Sequence, residues 1–456
     1  MLSQYENVKI ISFNSDSIKV CASAARISTT KGNAFDVFLR ENTVDENERL
    51  IKKVLSSGHK SFIEHAVFTI AFCNVSAFVE QFIIEFRPAS FTVKSRRYVD
   101  FSKSGYKIPN GLSGDDLSIY RKYMEILFSA YSILLDNEVP KEDARFLLPY
   151  SFHSNFYCTI NARELIHIIC TIKYGRGRSY PELQDIAQQL VSQLNKIFPS
   201  LISEIESNYK FYVQTEHLDV KGLPILPSRF IDSSDIGNVE LYGCPKEPER
   251  DLKFAWQTNN LSLVQNMPEI NLEDMISRIL GSNRPRELEQ LSYSFFITKI
   301  TLSGITHITR HRIQSIVIPP IHSTMINECI IPKTISENNH LADIYRGAIV
   351  RSNEIIRNID NDSPLNDYRY YFVLSGNMLN IITTMNAREL MLYIKLRSCR
   401  RAQWEIQKIT VNMLNALRGH FPQLFNNMGP SCFVNRYCPE GKLTCGKMNE
   451  VIEAFK

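Results

Sequence analysis

Apolar side chains recur through residues 75–86 with the spacing of one face of an α-helix. The apolar positions are Val75, Phe78, Val79, Phe82, Ile83 and Phe86. Intervals of three and four residues are typical of an amphipathic helix that packs against a core. An alternating run at 66–72 precedes them and predicts a strand. We therefore predict a strand, then a buried helix, then a polar segment interrupted by Pro88.

The second half of the chain repeats this order. A strand is predicted from Ser292 to Ile300 and a helix at about 302–311, before Pro319 and Pro320 impose an extended path. Strands are the minority, so the predicted class is α+β. Further helices are predicted at about 46–57, 113–136, 161–173, 181–197, 271–281, 340–359, 386–398 and 402–417.

Two motifs recur at an interval of 225 residues. An Arg-x-x-Ser segment at 87–90 is followed 74 residues later by Asn-Ala-Arg at 161–163, and the segment at 312–315 is followed at the same interval by Asn-Ala-Arg at 386–388. Because chance does not preserve such spacing, the sequence predicts an internal duplication.

The length and the repeat predict the same domain organisation. A chain of 456 residues exceeds the size at which single cores usually divide. We predict a first copy at 1–214, a linker at 215–240 that contains Pro and Gly, a second copy at 241–426, and a C-terminal extension at 427–456.

Composition excludes several classes of protein. The net charge is +4 and 22% of residues are charged, so no global basic field indicates a nucleic-acid or membrane partner. The sequence shows no apolar run of membrane-spanning length and no secretory leader, which predicts a cytoplasmic protein. Ten scattered cysteines fit reduced thiols. Cys432, Cys438 and Cys445 lack paired ligand spacing, so no metal site is predicted.

The sequence Arg310-His311-Arg312 places two permanent cations and an imidazole at the end of a predicted helix. Guanidinium groups suit phosphates and the O2/N1 edge of a flavin. The alternative is simple capping of a helix C-terminus by cations. The first copy has Phe86 where the second has His311, so a polar ring occupies a position that packing alone would give to a phenyl group.

The segment from Ser95 to Tyr98 gathers a hydroxyl, two guanidinium groups and a phenol, which are the groups that a nucleotide monophosphate binds. A solvated strand is the alternative. The second copy has Pro320 to Ser323 there.

Each Asn-Ala-Arg opens a predicted helix, where Asn is a natural N-cap. An arginine in the first turn opposes the helix dipole and predicts an anionic partner. Arg397 occurs in the second copy only, with Ile172 at the matching place, and is either a surface residue or a specialised site residue. His65 begins a strand, where a satisfied core or edge histidine is the alternative to a site residue.

These residues resemble the flavin-dependent thymidylate synthases, whose signature has the form RHRxxSxNExSxRY. Residues 85–98 read EFRPASFTVKSRRY and residues 310–323 read RHRIQSIVIPPIHS. Neither copy is complete, and each retains what the other lacks. The signature Asn and Glu are replaced by Thr92 and Val93 in the first copy, and by Val317 and Ile318 in the second.

The resemblance implies a fold and a set of ligand contacts. Each copy would have a mixed or antiparallel sheet with flanking helices, and a homodimer would mimic the tetramer of the family, whose sites lie between subunits. Flavin contacts would be Arg310, His311, Arg312, Ser315, Asn386, Arg388, His65, Ser28, Asn161 and Arg163. Nucleotide contacts would be Ser95, Arg97, Tyr98, Arg145, Arg87 and Ser90, with Arg397 in a catalytic role.

The implied reaction is the reductive methylation of dUMP to dTMP. NADPH would reduce FAD, and methylenetetrahydrofolate would donate the one-carbon unit. The working site would be a composite to which each copy contributes. Three alternatives stay open at this point: a flavin-dependent methylase of another pyrimidine nucleotide, a catalytically decayed scaffold that still binds nucleotide or flavin, and a nucleic-acid-binding module.

Overall fold

The computed structural model describes residues 7–216, 237–261 and 270–456. Their contacts divide them into two compact units. The first contains the described residues up to 216 together with Ile331–Ser375, and the second contains those from 237 to 330 together with Gly376–Lys456. Residues 331–375 thus lie in the second sequence copy but in the first compact unit. Most of the predicted linker at 215–240 lies outside the described residues.

Each unit contains one antiparallel sheet. The described strands are β1 Val8–Phe13, β2 Val67–Ser76, β3 Ala89–Val93, β4 His153–Asn161, β5 Asn238–Gly243, β6 Ser292–Thr301, β7 Ser315–Val317, β8 Met325–Cys329 and β9 Asn377–Asn386. The order is β1-β2-β4-β3 in the first unit and β5-β6-β9-β7 in the second, where β8 also pairs with β9. The α+β class and the pair of repeated folds are confirmed.

Helices flank the sheet of each unit. They are α1 Ser17–Ile27, α2 Ala34–Leu39, α3 Val44–Ser56, α4 Ala77–Ile84, α5 Gly114–Asp136, α6 Lys141–Ala144, α7 Ala162–Lys173, α8 Pro181–Ile197, α9 Ser200–Ser207, α10 Tyr209–Glu216, α11 Pro248–Asn259, α12 Leu272–Leu280, α13 Leu302–Ile308, α14 Lys333–Ser336, α15 Asn339–Asn358, α16 Ala387–Arg397, α17 Trp404–His420, α18 Pro422–Phe425, α19 Ser431–Asn435 and α20 Met448–Phe455.

The same irregularity interrupts the long central strand of both sheets. The pairing of β2 with β4 shifts between Phe72 and Val75, and the pairing of β6 with β9 shifts between Ile297 and Ile300. In each bulge one residue takes a left-handed backbone, Asn74 and Lys299, both with φ of 52°. Since a bulge bends a strand and redirects the chain beyond it, both strands turn into a helix at the same point.

The helix after each bulged strand is capped in the same way. The Ser76 hydroxyl accepts a hydrogen bond from the Val79 amide of α4, and the Thr301 hydroxyl accepts one from the Gly304 amide of α13. A buried glutamate reinforces each cap: Glu182 accepts from the Ser76 amide at 2.9 Å, and Glu405 accepts from the Thr301 amide at 2.8 Å. A carboxylate is favourable there because helix N-termini carry positive partial charge.

The predicted helix at 75–86 was wrong at its start. Val75 and Ser76 belong to β2, and α4 covers only Ala77–Ile84. The apolar spacing continues across both elements, because a buried strand is followed by a buried helix without a polar residue pattern between them. The spacing alone therefore does not show where the helix begins. The predicted helix at about 302–311 likewise ends early, at Ile308, so residues 310–312 lie in the turn beyond α13.

Residues 331–375 complete the core of the first unit. Helix α15 packs against α5, and the Tyr150 amide donates a hydrogen bond to the Val373 carbonyl at 2.8 Å. The buried Tyr371 hydroxyl donates to Glu182 at 2.6 Å. A segment of the second sequence copy therefore supplies part of the polar network at the N-terminus of α4.

No helix within the described residues combines the length and the apolar character needed to cross a bilayer. All ten cysteines lie in described parts of the chain, and none of them is in a disulfide. The described residues also contain no group of three or more His, Cys, Asp or Glu side chains arranged to hold a metal ion.

Candidate active site

The turn after α13 carries the Arg-His-Arg sequence of the second copy. Gln314 stabilises this turn, since its amide nitrogen donates to the carbonyls of Ile308 and His311, both at 2.7 Å. Its amide oxygen accepts from the Thr383 hydroxyl of β9 at 2.8 Å. The turn is thus attached to the sheet. It exposes Arg310 and Arg312 and directs the side chain of His311 inward.

His311 lies at the centre of a buried polar chain. His311 is 6% exposed, as is Glu389. The Nδ1 atom of His311 is 2.9 Å from Glu389 Oε1, and its Nε2 atom accepts a hydrogen bond from Arg397 Nε at 3.1 Å. The edge of Tyr393 packs against the imidazole with ring centroids 4.7 Å apart. Glu389 and Arg397 both lie on α16, so one helix holds both ends of the chain.

The first copy has an apolar arrangement at the equivalent positions. Phe86 replaces His311, Ile172 replaces Arg397, and both are buried. Phe86 packs edge-on against His167, with ring centroids 5.4 Å apart. Glu164 keeps the place of Glu389, and burial raises the pKa of its carboxyl above the ordinary value. The Glu-His-Arg chain is therefore a property of the second copy.

Both Asn-Ala-Arg motifs cap their helices as the sequence predicts. Asn161 accepts from the Glu164 amide and Asn386 accepts from the Glu389 amide, each at 2.9 Å. The expected anionic partners are also present. In the first copy Arg163 pairs with Glu64 at 2.6 Å.

In the second copy Arg388 pairs with Glu289, which lies 225 residues after Glu64. Hydrogen bonding from Arg388 holds the pKa of Glu289 below its ordinary value.

Two arginines of the first copy meet at Glu142. Arg97 Nε donates to the Glu142 carboxylate at 2.9 Å, and Arg145 Nε donates to the Glu142 carbonyl at 3.1 Å. Arg145 is 2% exposed, whereas Tyr98 is 65% exposed, with the Arg97 guanidinium 5.6 Å from its ring centroid. The Ser95 hydroxyl accepts from the Arg97 amide at 3.3 Å. Arg97 and Arg145 thus both bond to Glu142, one to its carboxylate and one to its carbonyl, and Ser95 and Tyr98 contact Arg97.

Arg96 has a different role from its neighbour. It forms a buried ion pair with Glu80, and its guanidinium lies 4.9 Å from the ring centroid of Phe152. The hydroxyl of Ser154 donates to the second oxygen of Glu80. Arg96 therefore belongs to the core, whereas the Arg97 side chain is 20% exposed.

The structure also shows where other predicted residues lie within their own units. Ser28 is exposed directly after α1, and the exposed His65 contributes its carbonyl to a hydrogen bond from Asn14 at 3.1 Å. Arg87 donates to the Ile84 carbonyl at 3.1 Å. Exposed Ser90 lies in β3, and exposed Ser315 lies in β7 opposite Thr384.

A family model matches the sequence of both copies. The model of the thymidylate synthase complementing protein matches residues 9–200 and again residues 241–423. The chain belongs to this family. Each copy carries one match, so the family fold occurs twice, with the signature arginines and histidine at 310–312 in the second match and the arginine at 97 in the first.

Known relatives each match a part of this chain that is about as long as one copy. A flavin-dependent thymidylate synthase of Geobacter sulfurreducens is 31% identical over 186 residues, which is 40% of this chain and 79% of the relative. That of Saccharolobus solfataricus is 30% identical over 197 residues, which is 43% of this chain and 75% of the relative. Among solved structures, the UMP/dUMP methylase PolB of Streptomyces cacaoi, bound with 5-Br dUMP, matches 44% of this chain and 94% of its own at 23% identity and a TM-score of 0.36.

Sequence reasoning gave no role to two carboxylates that the structure places among the family residues. Glu389 contacts His311, and Glu142 contacts Arg97. The sequence could have indicated Glu389, because this residue directly follows the capping Asn-Ala-Arg motif. Glu142 carried no signal, since its position 45 residues after Arg97 is set by tertiary packing.

Proposed function

We propose that this chain is a flavin-dependent thymidylate synthase that converts dUMP to dTMP with methylenetetrahydrofolate as one-carbon donor and NADPH as reductant. The observation that supports this proposal is the division of the family signature. The second copy retains Arg310, His311 and Arg312, and the first retains Arg97 and Tyr98. Random decay of a duplicated enzyme would remove both groups from both copies.

The donor set of the second copy fits a flavin dinucleotide. Arg310 and Arg312 are exposed permanent cations on either side of a buried imidazole, which suits a diphosphate group. The first copy does not fit, because Glu85 and Phe86 replace the first two signature residues and Glu85 pairs with Arg176 at 2.7 Å. We propose that Asn386, Arg388 and Ser315 complete the flavin site of the second copy.

The donor set of the first copy fits the nucleotide. A phosphate could replace the Glu142 carboxylate at Arg97, because both are oxyanions that accept from guanidinium nitrogens. Exposed Tyr98 offers a hydroxyl and an aromatic face beside it. Arg145 is almost fully buried and holds the carbonyl of Glu142, so it also positions the residue that Arg97 contacts.

The bound flavin would supply the hydride that completes the methyl group. The side chains of this protein bind and orient the reactants. Arg397 is a fixed cation that can stabilise negative charge developing on the uracil ring. We propose that the residues of both copies contribute to each working site, and that two chains associate to mimic the tetramer of the family.

An absorbance spectrum and a turnover assay test the proposed function. Purified protein should show flavin absorbance and should form dTMP from dUMP, methylenetetrahydrofolate and NADPH. A radiolabelled methylene donor offered with UMP, dUMP and dCMP would identify a different pyrimidine substrate. The replacement of the signature carboxylate by Val93 is the feature that permits a different substrate. Flavin-loaded protein that methylates none of these nucleotides would show a decayed scaffold and overturn the proposal.

Matched substitutions test the contribution of both copies. Arg97→Ala and Arg310→Ala should each abolish turnover, since each removes a ligand group that the other copy lacks. The controls are His322→Ala and Glu85→Gln, which alter the equivalent positions of the opposite copies and should leave turnover within about 2-fold of the unaltered protein. Full activity after either arginine substitution would contradict a site that needs both copies.

A further inference from the structure

We propose that Glu389 is a positioning residue that fixes the tautomer of His311 and, through it, the orientation of the Arg397 guanidinium. The role of Arg397 towards the nucleotide rests on the proposed function. The hydrogen-bond relay itself rests on the geometry of the second unit alone. Three buried or half-buried groups form it, and the donors and acceptors that face one another along it define where its protons lie.

The direction of the relay is set by the chemistry of the end groups. Arg397 Nε can only donate, so the His311 Nε2 atom at 3.1 Å must be the acceptor. A neutral imidazole with an unprotonated Nε2 carries its proton on Nδ1. That proton is donated to the Glu389 carboxylate, whose Oε1 atom lies 2.9 Å away. The relay therefore holds a neutral histidine between an anion and a cation.

Burial makes this arrangement selective. His311 and Glu389 are both 6% exposed, so water does not compete for the hydrogen bonds, and an unsatisfied group there would be costly. With the other tautomer, an Nε2–H would oppose the Arg397 Nε–H, and Nδ1 would oppose the carboxylate. Because the guanidinium is planar, holding its Nε atom fixes the direction in which the rest of the group points.

In the first copy, the equivalent glutamate lies in the same fold without the relay. Glu164 occupies the place of Glu389, but Phe86 and Ile172 offer it neither an imidazole nor a guanidinium. The pKa of Glu164 is raised by burial, as expected for a carboxyl that loses water without gaining that partner. The fold therefore accepts a glutamate at this position in either setting, and Glu164 serves as a matched control for Glu389.

Nuclear magnetic resonance tests the relay without any requirement for activity. In the full-length protein labelled with ¹⁵N-histidine and ¹⁵N-arginine, His311 should show a protonated Nδ1 and an unprotonated Nε2, and Arg397 should show a slowly exchanging Nε–H. The signals are assigned by their loss in His311→Phe and Arg397→Ile. A His311 ring that is protonated on Nε2, or on both nitrogens, at neutral pH in the unaltered protein would overturn the relay.

The substitution Glu389→Gln tests the positioning role. A glutamine amide can present either N–H or C=O to His311, so the tautomer should become mixed and the Arg397 Nε–H should exchange faster by at least about 10-fold. Glu164→Gln should change neither signal. Unchanged His311 and Arg397 signals in Glu389→Gln would contradict the proposal, and they can be read even if the protein proves to have no methylase activity.

A double-mutant cycle connects the relay to turnover. Glu389→Gln should lower kcat/KM for dUMP roughly 10- to 100-fold, as expected when a reacting group is displaced. In an Arg397→Ala background the same change should cost less than about 2-fold, because it acts through the missing arginine. Independent losses that multiply would show a general structural role instead. Absence of turnover in the unaltered protein would count against the proposed function only.

Discussion

The neighbouring residues Arg96 and Arg97 should respond in opposite ways to the same substitution. Arg96→Met keeps most of the aliphatic length but leaves the Glu80 carboxylate buried at 2% exposure without its cation. Removing one partner of a buried ion pair costs about 3–5 kcal/mol. The remaining hydrogen bond from Ser154 cannot replace a positive charge. We therefore expect the free energy of unfolding of the first unit to fall by the full range of about 3–5 kcal/mol.

The assay should report on the first unit alone. A single free energy of unfolding is poorly defined for a chain with two compact units, and both tryptophans, Trp256 and Trp404, lie in the second. Hydrogen exchange measured by mass spectrometry over α4 and β4 avoids both problems, because these elements carry Glu80 and Ser154. At 1.4 kcal/mol per factor of ten, protection there should fall by roughly two to three and a half orders of magnitude. The midpoint of thermal unfolding of this unit should fall by about 6–20 °C.

Arg97→Met is the matched control for this prediction. The Arg97 and Glu142 side chains are 20% and 30% exposed, and such pairs contribute less than about 1 kcal/mol. Protection in α4 and β4 should therefore change by less than about 5-fold, while dUMP binding measured by calorimetry is lost. Unchanged protection in Arg96→Met, or equal destabilisation of the unit by Arg97→Met, would contradict the different roles of the two arginines.

Three further outcomes are expected from the caps, a half-buried histidine and the proposed assembly. Asn161→Ala and Asn386→Ala should each lower local stability by about 1 kcal/mol through loss of an N-cap, as measured by hydrogen exchange. Only Asn386→Ala should also lower the flavin absorbance per chain. Burial lowers the pKa of His153 below 6.5, so its contribution to stability is present above about pH 6.5 and is lost as pH falls through the folded-state pKa. His153→Gln should therefore flatten the decline of the unfolding temperature between about pH 7 and 5. Light scattering should give twice the chain mass of 52.6 kDa, and a monomer mass would contradict the proposed dimer.

Elements with strong helical periodicity were predicted well from the sequence. The helices predicted at 113–136 and 181–197 are observed as Gly114–Asp136 and Pro181–Ile197. The junction at 75–77 was predicted incorrectly, because the bulge at Asn74 and the cap at Ser76 end a strand inside a continuous apolar run. The spacing of apolar residues does not reveal a bulge, because the position of a bulge depends on pairing with a strand that lies about 80 residues further along the chain.

The candidate site was predicted only as far as residue type allows. The sequence grouped Arg96 with Arg97, and nothing local separates two adjacent arginines. Their roles diverge in the turn after β3, where the Arg96 side chain meets the buried Glu80 and that of Arg97 meets the more exposed Glu142. The arginine of each Asn-Ala-Arg motif, in contrast, required an anionic partner on electrostatic grounds, and Glu64 and Glu289 provide it.

The duplication separates residues that the fold requires from residues that serve a ligand. Positions with the same chemistry in both copies form caps and ion pairs: the capping asparagines, the arginines two residues after them, and the glutamates that pair with those arginines. Positions that differ are Phe86 against His311 and Ile172 against Arg397, and the apolar member of each pair shows that packing does not require the polar one. A buried histidine bonded to both a carboxylate and an arginine costs more to desolvate than the phenyl ring that the same fold accepts. The polar group is therefore retained in the second copy for a reason other than stability, and the site proposed around Arg397 supplies that reason.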